Sequence, residues 1–215
     1  MGQTTRLFEM LSRCSEETPE WQDLYDDFAT RLNSLAVGKQ APAIGTPFPS
    51  LALPNHRGQY RKIGDLYKSG PLVISFNRGS WCRYCRRELE SWRDSLAALD
   101  SAGGKLVVIA GEIGGRGDAL AAIFNDEVEI LCDVEHGAAL SLGLAFHAGK
   151  ELLQRYLENG LDLSKIYGTQ SGILPIPATF VVDQKGIVRY AFVDPDFRVR
   201  AEPEDVIAIV KTHRS

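Results

Sequence analysis

The sequence predicts an α/β fold with a mixed central β-sheet flanked by helices, preceded by an N-terminal helical extension. Three observations lead there. Short apolar runs, Pro71-Leu72-Val73-Ile74-Ser75-Phe76, Leu106-Val107-Val108-Ile109-Ala110 and Val128-Glu129-Ile130-Leu131-Cys132, read as buried strands. Helical patterns alternate with them. Toward the C-terminus, Thr179–Asp183 and Ile187–Phe192 flank Gln184-Lys185-Gly186, a hairpin-like pair that makes the sheet mixed in direction.

Residues 1–40 are amphipathic and helical: Leu7, Met10, Leu11 and Cys14 recur at helical spacing, as do Leu24, Phe28, Leu32 and Leu35. Thr18-Pro19 punctuates them, with Thr18 as N-cap and Pro19 at the first helical position. The composition changes from Gly38 to Pro49, so the expected division is an extension over 1–37 and a main domain over 38–215. Leu51–Pro54 followed by Asn55–Gly58 reads as strand and turn. From Arg83 to Asp100 a helix places Cys85, Leu89, Trp92, Leu96 and Leu99 on one face, and Gly103-Gly104 ends it. Asp118–Asn125 is expected to be helical, 148–167 to be polar and helical, and Glu202–Thr212 to close the chain as a helix. The glycine-rich stretch Gly111–Gly117 lacks the spacing of a phosphate loop and reads as a strand-to-helix connection.

Composition narrows the function classes. With 215 residues, 44% hydrophobic and 24% charged, the chain can bury the core of one globular domain. A net charge of −4 gives no basic face for nucleic acid. No apolar leader opens the sequence, Arg6 stands where a myristoylation signal needs Ser or Thr, and no run reaches membrane-spanning length. The expected setting is soluble and cytoplasmic, without a membrane partner. In that compartment, four cysteines (Cys14, Cys82, Cys85, Cys132) do not imply a structural disulfide framework, and a close pair points to catalysis or metal. Zinc needs about four ligands. No second CxxC accompanies Cys82 and Cys85, and the four histidines are scattered, so neither metal nor cofactor is expected.

Cys82 follows a buried strand and Cys85 opens a helix. Free N–H groups and the helix dipole at that end stabilise a thiolate, the nucleophilic form of cysteine. Two cysteines three apart on a first turn can close a disulfide with little movement. Arg78, Arg83, Arg86 and Arg87 crowd the region. Arg86 and Arg87 read as solvated surface charges, and Arg78 and Arg83 as shapers of the site. Trp81 is expected to cover the sulfur and offer a contact surface. Cys132, ending a core strand, reads as a buried inert thiol, and Cys14 as packing.

Phe76–Leu89, with its Trp81-Cys82-Arg83-Tyr84-Cys85 centre, resembles the signature of the peroxiredoxin-like AhpC/TSA group within the thioredoxin-fold superfamily. Pro175–Asp183, Gly186–Arg189 and Val193–Phe197 strengthen the resemblance, which spans roughly residues 38–212. It implies a thioredoxin-like fold with Pro177 as a cis-proline facing the cysteines. Relatives typically carry proline where Arg83 stands, a departure that alters local charge and redox potential. The resemblance also implies hydroperoxide or disulfide as substrate and an external thiol reductant of the thioredoxin or glutathione type. A homodimer, to which the N-terminal helices could contribute, follows from it too.

Two mechanisms share Cys82 and Cys85. Under thioredoxin logic, Cys82 attacks a disulfide and Cys85 resolves the mixed disulfide. Under peroxiredoxin logic, Cys85 takes the peroxidatic place of a PxxxTxxC motif, with Cys82 at the threonine and Arg78 at the proline. In that register Arg78 is the candidate donor to the leaving oxygen, and sulfenic acid condenses with the second thiol. The primary expectation is a thiol-dependent antioxidant oxidoreductase. The alternatives are a general thiol-disulfide oxidoreductase and a non-catalytic thioredoxin-fold binding module.

Overall fold

The computed structural model describes residues 6–214, so the reading of the extreme N-terminus falls mainly outside the described residues. Two helices, α1 (Leu7–Glu16) and α2 (Gln22–Ser34), open it, joined by a 3₁₀ turn over Pro19–Trp21. Pro19 starts that turn as expected, but the Thr18 hydroxyl does not cap it and donates instead to the Cys14 carbonyl at 2.9 Å. The apolar faces of both helices, Leu7, Leu11 and Cys14 with Tyr25, Phe28 and Leu32, are buried in one cluster with Ile74 and Phe76 of the main body. Polar contacts fix the extension further. The Glu202 carboxylate accepts from the N–H groups of Leu7 and Phe8 at 3.0 and 2.8 Å, which satisfies two orphan donors of α1. Arg198 reaches Asp26 at 2.6 Å and Gln22 at 3.0 Å.

A hairpin follows, β1 (Ala52–Pro54) and β2 (Tyr60–Lys62), and then the short helix α3 (Ile63–Leu66). The central unit is β3 (Leu72–Asn77), α4 (Arg83–Ser101), β4 (Lys105–Ala110), α5 (Gly117–Ile123) and β5 (Glu129–Cys132). Beyond it come α6 (Gly137–Ser141), β6 (Ala145–His147), α7 (Lys150–Glu158), α8 (Leu163–Tyr167) and β7 (Ile173–Pro175). The chain closes with β8 (Ala178–Val182), β9 (Val188–Val193) and α9 (Pro203–Thr212).

The main sheet has the order β5-β4-β3-β8-β9. β3, β4 and β5 run parallel because helical crossovers join them, whereas β8 and β9 form the antiparallel hairpin. β3 lies at the centre and all six of its residues are buried. Alternate side chains divide between the faces. Ile74 and Phe76 join the cluster under the N-terminal extension, while Val73 packs with Leu89 and Trp92 of α4 and Val206 of α9. Among the described residues no helix is long and apolar enough to cross a membrane.

Two expectations are corrected. No peptide bond among the described residues is cis, so the bond before Pro177 is trans. The physical reason lies just upstream. β7 pairs antiparallel with β6, a small sheet that periodicity did not disclose, and the Ile176 N–H donates to Leu144 at 2.7 Å. The chain thus enters β8 already extended, a course that a trans bond continues. Cys132 is half-buried rather than buried, because it ends the outer strand β5.

Candidate active site

The strand β3 carries the chain into a tight loop, Arg78–Trp81, from which α4 starts. Gly79 makes that loop possible. Its φ is +125°, and a Cβ there would stand 2.5 Å from the Glu112 carboxyl carbon. Glu112 instead holds the loop, accepting from the Ser80 N–H and hydroxyl, each at 2.9 Å. The Trp81 indole donates to the Arg78 carbonyl at 3.0 Å and to the Tyr167 hydroxyl at 2.9 Å, and Tyr167 donates to the same carbonyl. Cys82 then sits in extended conformation at the N-cap of α4, with Cys85 in the first turn.

The two sulfurs have different surroundings. Cys82, 3% exposed, lines a cavity of about 310 Å³ together with Arg78, Trp81 and Tyr156, and with Trp21 and Tyr25 of the extension. Cys85 is fully buried and does not line it. Its Sγ accepts from the Arg78 N–H at 3.4 Å and lies 3.6 Å from Nη2 of Arg200. Arg200 forms a buried ion pair with Glu88, Nε to Oε2 at 2.7 Å. The other oxygen of Glu88 accepts from Ser75 at 3.1 Å, and Ser75 accepts from Asn77 at 2.7 Å.

These surroundings divide the acidities. Burial pushes the Cys82 thiol up, but a hydrogen bond with Cys85 and the charges of Arg78 and Arg200 outweigh it and bring Cys82 down to about 6. Burial and the neighbouring Cys82 push Cys85 well above the usual thiol range. Within the pair, the thiol that is lowered is that of Cys82, which faces the cavity, and the one that is raised is that of the buried Cys85. Glu88 is raised to about 7, because burial outweighs the attraction of Arg200.

Arg78 has the most unusual setting. It is 1% exposed and flanked by aromatic rings, its Cζ 4.6 Å from the Trp81 centroid and 4.3 Å from that of Phe197. Nη2 donates to the Tyr156 hydroxyl at 2.7 Å, and Nε has no hydrogen-bond partner. Among the described residues no carboxylate pairs with it. A buried cation is costly unless it is paired. The negative charge available to it is the Cys82 thiolate.

The sequence matches the model of the AhpC/TSA family over residues 44–191. The chain belongs to that family. No curated protein matches it. Among solved structures it is similar to peroxidoxin BcpB of Mycobacterium tuberculosis, with a TM-score of 0.61, 18% identity, and 81% of this chain and 99% of that one covered. It is also similar to reduced Prx3 of Vibrio vulnificus in complex with H2O2, with a TM-score of 0.61, 15% identity, and coverage of 78% and 98%. A third is peroxiredoxin 6 of Arenicola marina, with a TM-score of 0.62, 12% identity, and coverage of 78% and 71%. At such identities the likeness shows the thioredoxin-like fold, and the family makes the chain a peroxiredoxin-like oxidoreductase.

Within this AhpC/TSA site the structure brings together Arg78, Trp81, Cys82 and Cys85, with Arg83 at the cavity rim, where it ion-pairs with Glu17 at 3.4 Å. Pro177 is buried before β8 and does not line the cavity. Arg86 is exposed and Arg87 pairs with Glu90 at 2.9 Å. Cys14 is buried in α1. Cys132 donates to the Glu112 carbonyl at 3.0 Å, and burial raises its thiol. Sequence reasoning missed Arg200, Glu88, Tyr156, Tyr167 and Phe197. Only Glu88 carried a local signal, a carboxylate one turn after Cys85 on the inward face of α4. Among the described residues no cluster of His, Cys, Asp or Glu is arranged to hold a metal.

Proposed function

We propose that this chain reduces hydroperoxides through a dithiol–disulfide cycle in which Cys82 attacks and Cys85 resolves. The observation that carries this reading is the position of Cys82: it lines the cavity beside Arg78, while Cys85 lies behind it. The Cys82 thiolate attacks a peroxide oxygen and the O–O bond breaks. The departing oxygen takes the electron pair and a proton, and the Arg78 guanidinium stabilises its charge as it develops. Cys82 is now a sulfenic acid. The Cys85 sulfur attacks it, S–S forms and water leaves. Arg200 and the Arg78 N–H support the charge on Cys85 as its proton departs. An external thiol then restores the dithiol, and a reducing cytoplasmic setting would keep the cycle supplied.

Reduction of protein disulfides fits less well, because a sulfur only 3% exposed is hard for another protein to reach. The test mixes reduced protein separately with hydrogen peroxide and with a protein disulfide. Peroxide is expected to close Cys82–Cys85, seen by mass mapping of the quenched reaction, on a timescale of seconds. Closure by the protein disulfide alone overturns the reading.

A further inference from the structure

We infer that the thiol which reopens the Cys82–Cys85 disulfide is a small molecule bearing a carboxylate, seated in the cavity with that carboxylate on the Arg78 guanidinium. This rests on the dithiol cycle proposed above and adds the chemical class of its reductant.

Access is the first ground. The sulfur of Cys82 is the one on the cavity wall, and Cys85 is fully buried behind it. Trp21 and Tyr25 of the extension form the opposite wall, and the contacts of Arg198 with Asp26 and Gln22 hold that wall in place. A protein thiol would have to bring its own backbone through this opening to reach bonding distance of Sγ. A cavity of about 310 Å³ is the size of a small-ligand site.

Charge is the second ground. In the dithiol state the thiolate of Cys82 balances Arg78. Disulfide formation removes that thiolate, and Arg78 is left as a buried cation with no carboxylate among the described residues and an Nε without a partner. The Glu88 carboxylate is not free to compensate Arg78, since it already pairs with Arg200. A ligand carboxylate compensates Arg78 and brings the thiol on the same molecule toward Cys82. The aromatic walls, Trp21, Trp81 and Tyr156, suit a short apolar linker between the two groups.

The step balances. The thiolate RS⁻ attacks Sγ of Cys82, the S–S bond breaks, and Cys85 leaves with the electron pair and takes up a proton. A second RS⁻ attacks the sulfur of R in the mixed disulfide, giving RSSR and the Cys82 thiolate.

The experiment uses the full chain, oxidised to the disulfide and mixed in a stopped-flow instrument with 3-mercaptopropionate, its methyl ester or a thioredoxin. Rates for the two small thiols are compared at equal thiolate concentration. The acid is expected to react about tenfold faster than the ester, the order of one charge-assisted hydrogen bond. Arg78→Met should bring the ratio to near one, and if that variant fails to fold, the comparison in the unaltered protein still decides. Equal rates for acid and ester, or faster reduction by the thioredoxin than by the acid at equal concentration, overturn the inference. Should peroxide fail to form the disulfide, so that a chemical thiol oxidant must be used, a preserved preference for the acid leaves the reductant assigned and refutes the peroxidase reading alone.

Discussion

The Arg200 guanidinium donates to Glu88 at 2.7 Å while standing 3.6 Å from the sulfur of Cys85. One cation therefore serves two acids, and whatever charge Glu88 takes from it is lost to the thiol pair. Glu88→Gln keeps the shape and an acceptor oxygen while removing the negative charge. The Cys82 thiolate should then form at lower pH than in the unaltered protein, read from thiolate absorbance. At pH 5.5 the reaction with peroxide should be faster by roughly two- to threefold. A thiolate that forms at higher pH instead would contradict the shared-cation account.

The pH dependence follows from Cys82, brought down to about 6. Peroxide reactivity should rise with pH through about 6 and level off above it, because the thiolate is the nucleophile. In stability the same group binds fewer protons folded than unfolded, so its contribution is complete above the unfolded thiol value and is lost as pH falls through about 6. Glu88 works in the opposite sense. With its folded value raised to about 7, its contribution is complete below its ordinary carboxylate value and is lost as pH rises through about 7. Urea denaturation of reduced Cys82→Ser and Glu88→Gln across pH 4–9 should separate the two slopes.

Removing Arg78 removes the charge that faces the Cys82 thiolate. Arg78→Met should raise the pH at which the thiolate forms and slow peroxide reduction at pH 7 by about tenfold or more. The unchanged secondary structure of the folded variant is checked by circular dichroism.

Gly79→Ala tests the loop. The new Cβ meets Glu112 and must adopt a φ of +125°, a strain of roughly 1–3 kcal/mol. Because the loop sets both Arg78 and Cys82, peroxide turnover should fall even under conditions where urea titration shows the chain folded.

Glu202→Ala tests the anchoring of the extension. Losing the acceptor for Leu7 and Phe8 should cost about 1 kcal/mol and speed amide exchange in α1 relative to β3. Equal protection of α1 in both proteins would show that its apolar face alone holds it.

Much of this arrangement was legible locally. The run Leu72–Phe76, the helical face from Cys85 to Leu99 and the hairpin around Gly186 each carry their period within one short contiguous stretch of sequence, and the structure shows all three. Cys82 and Cys85 were legible because a CxxC at a strand–helix junction has its own chemistry. Arg200 was not, since it lies 115 positions from the sulfur it touches and nothing in its own neighbourhood marks it. Tyr156 and Tyr167 escaped for the same reason: each is an ordinary apolar position of a short helix until the fold brings its hydroxyl to Arg78. The trans bond before Pro177 depends on the β6–β7 pairing, another long-range contact.

The division of labour between the sulfurs is the central claim, and trapping sulfenic acid tests it most directly. Reduced Cys85→Ser and Cys82→Ser proteins are each mixed with one equivalent of hydrogen peroxide in the presence of dimedone, and the adduct is located by mass spectrometry. The account predicts rapid, stoichiometric labelling of Cys82 in Cys85→Ser and little labelling of Cys85 in Cys82→Ser. Fast labelling of Cys85 in Cys82→Ser, with Cys82 slow in the other variant, would contradict it and make the buried sulfur the attacking one.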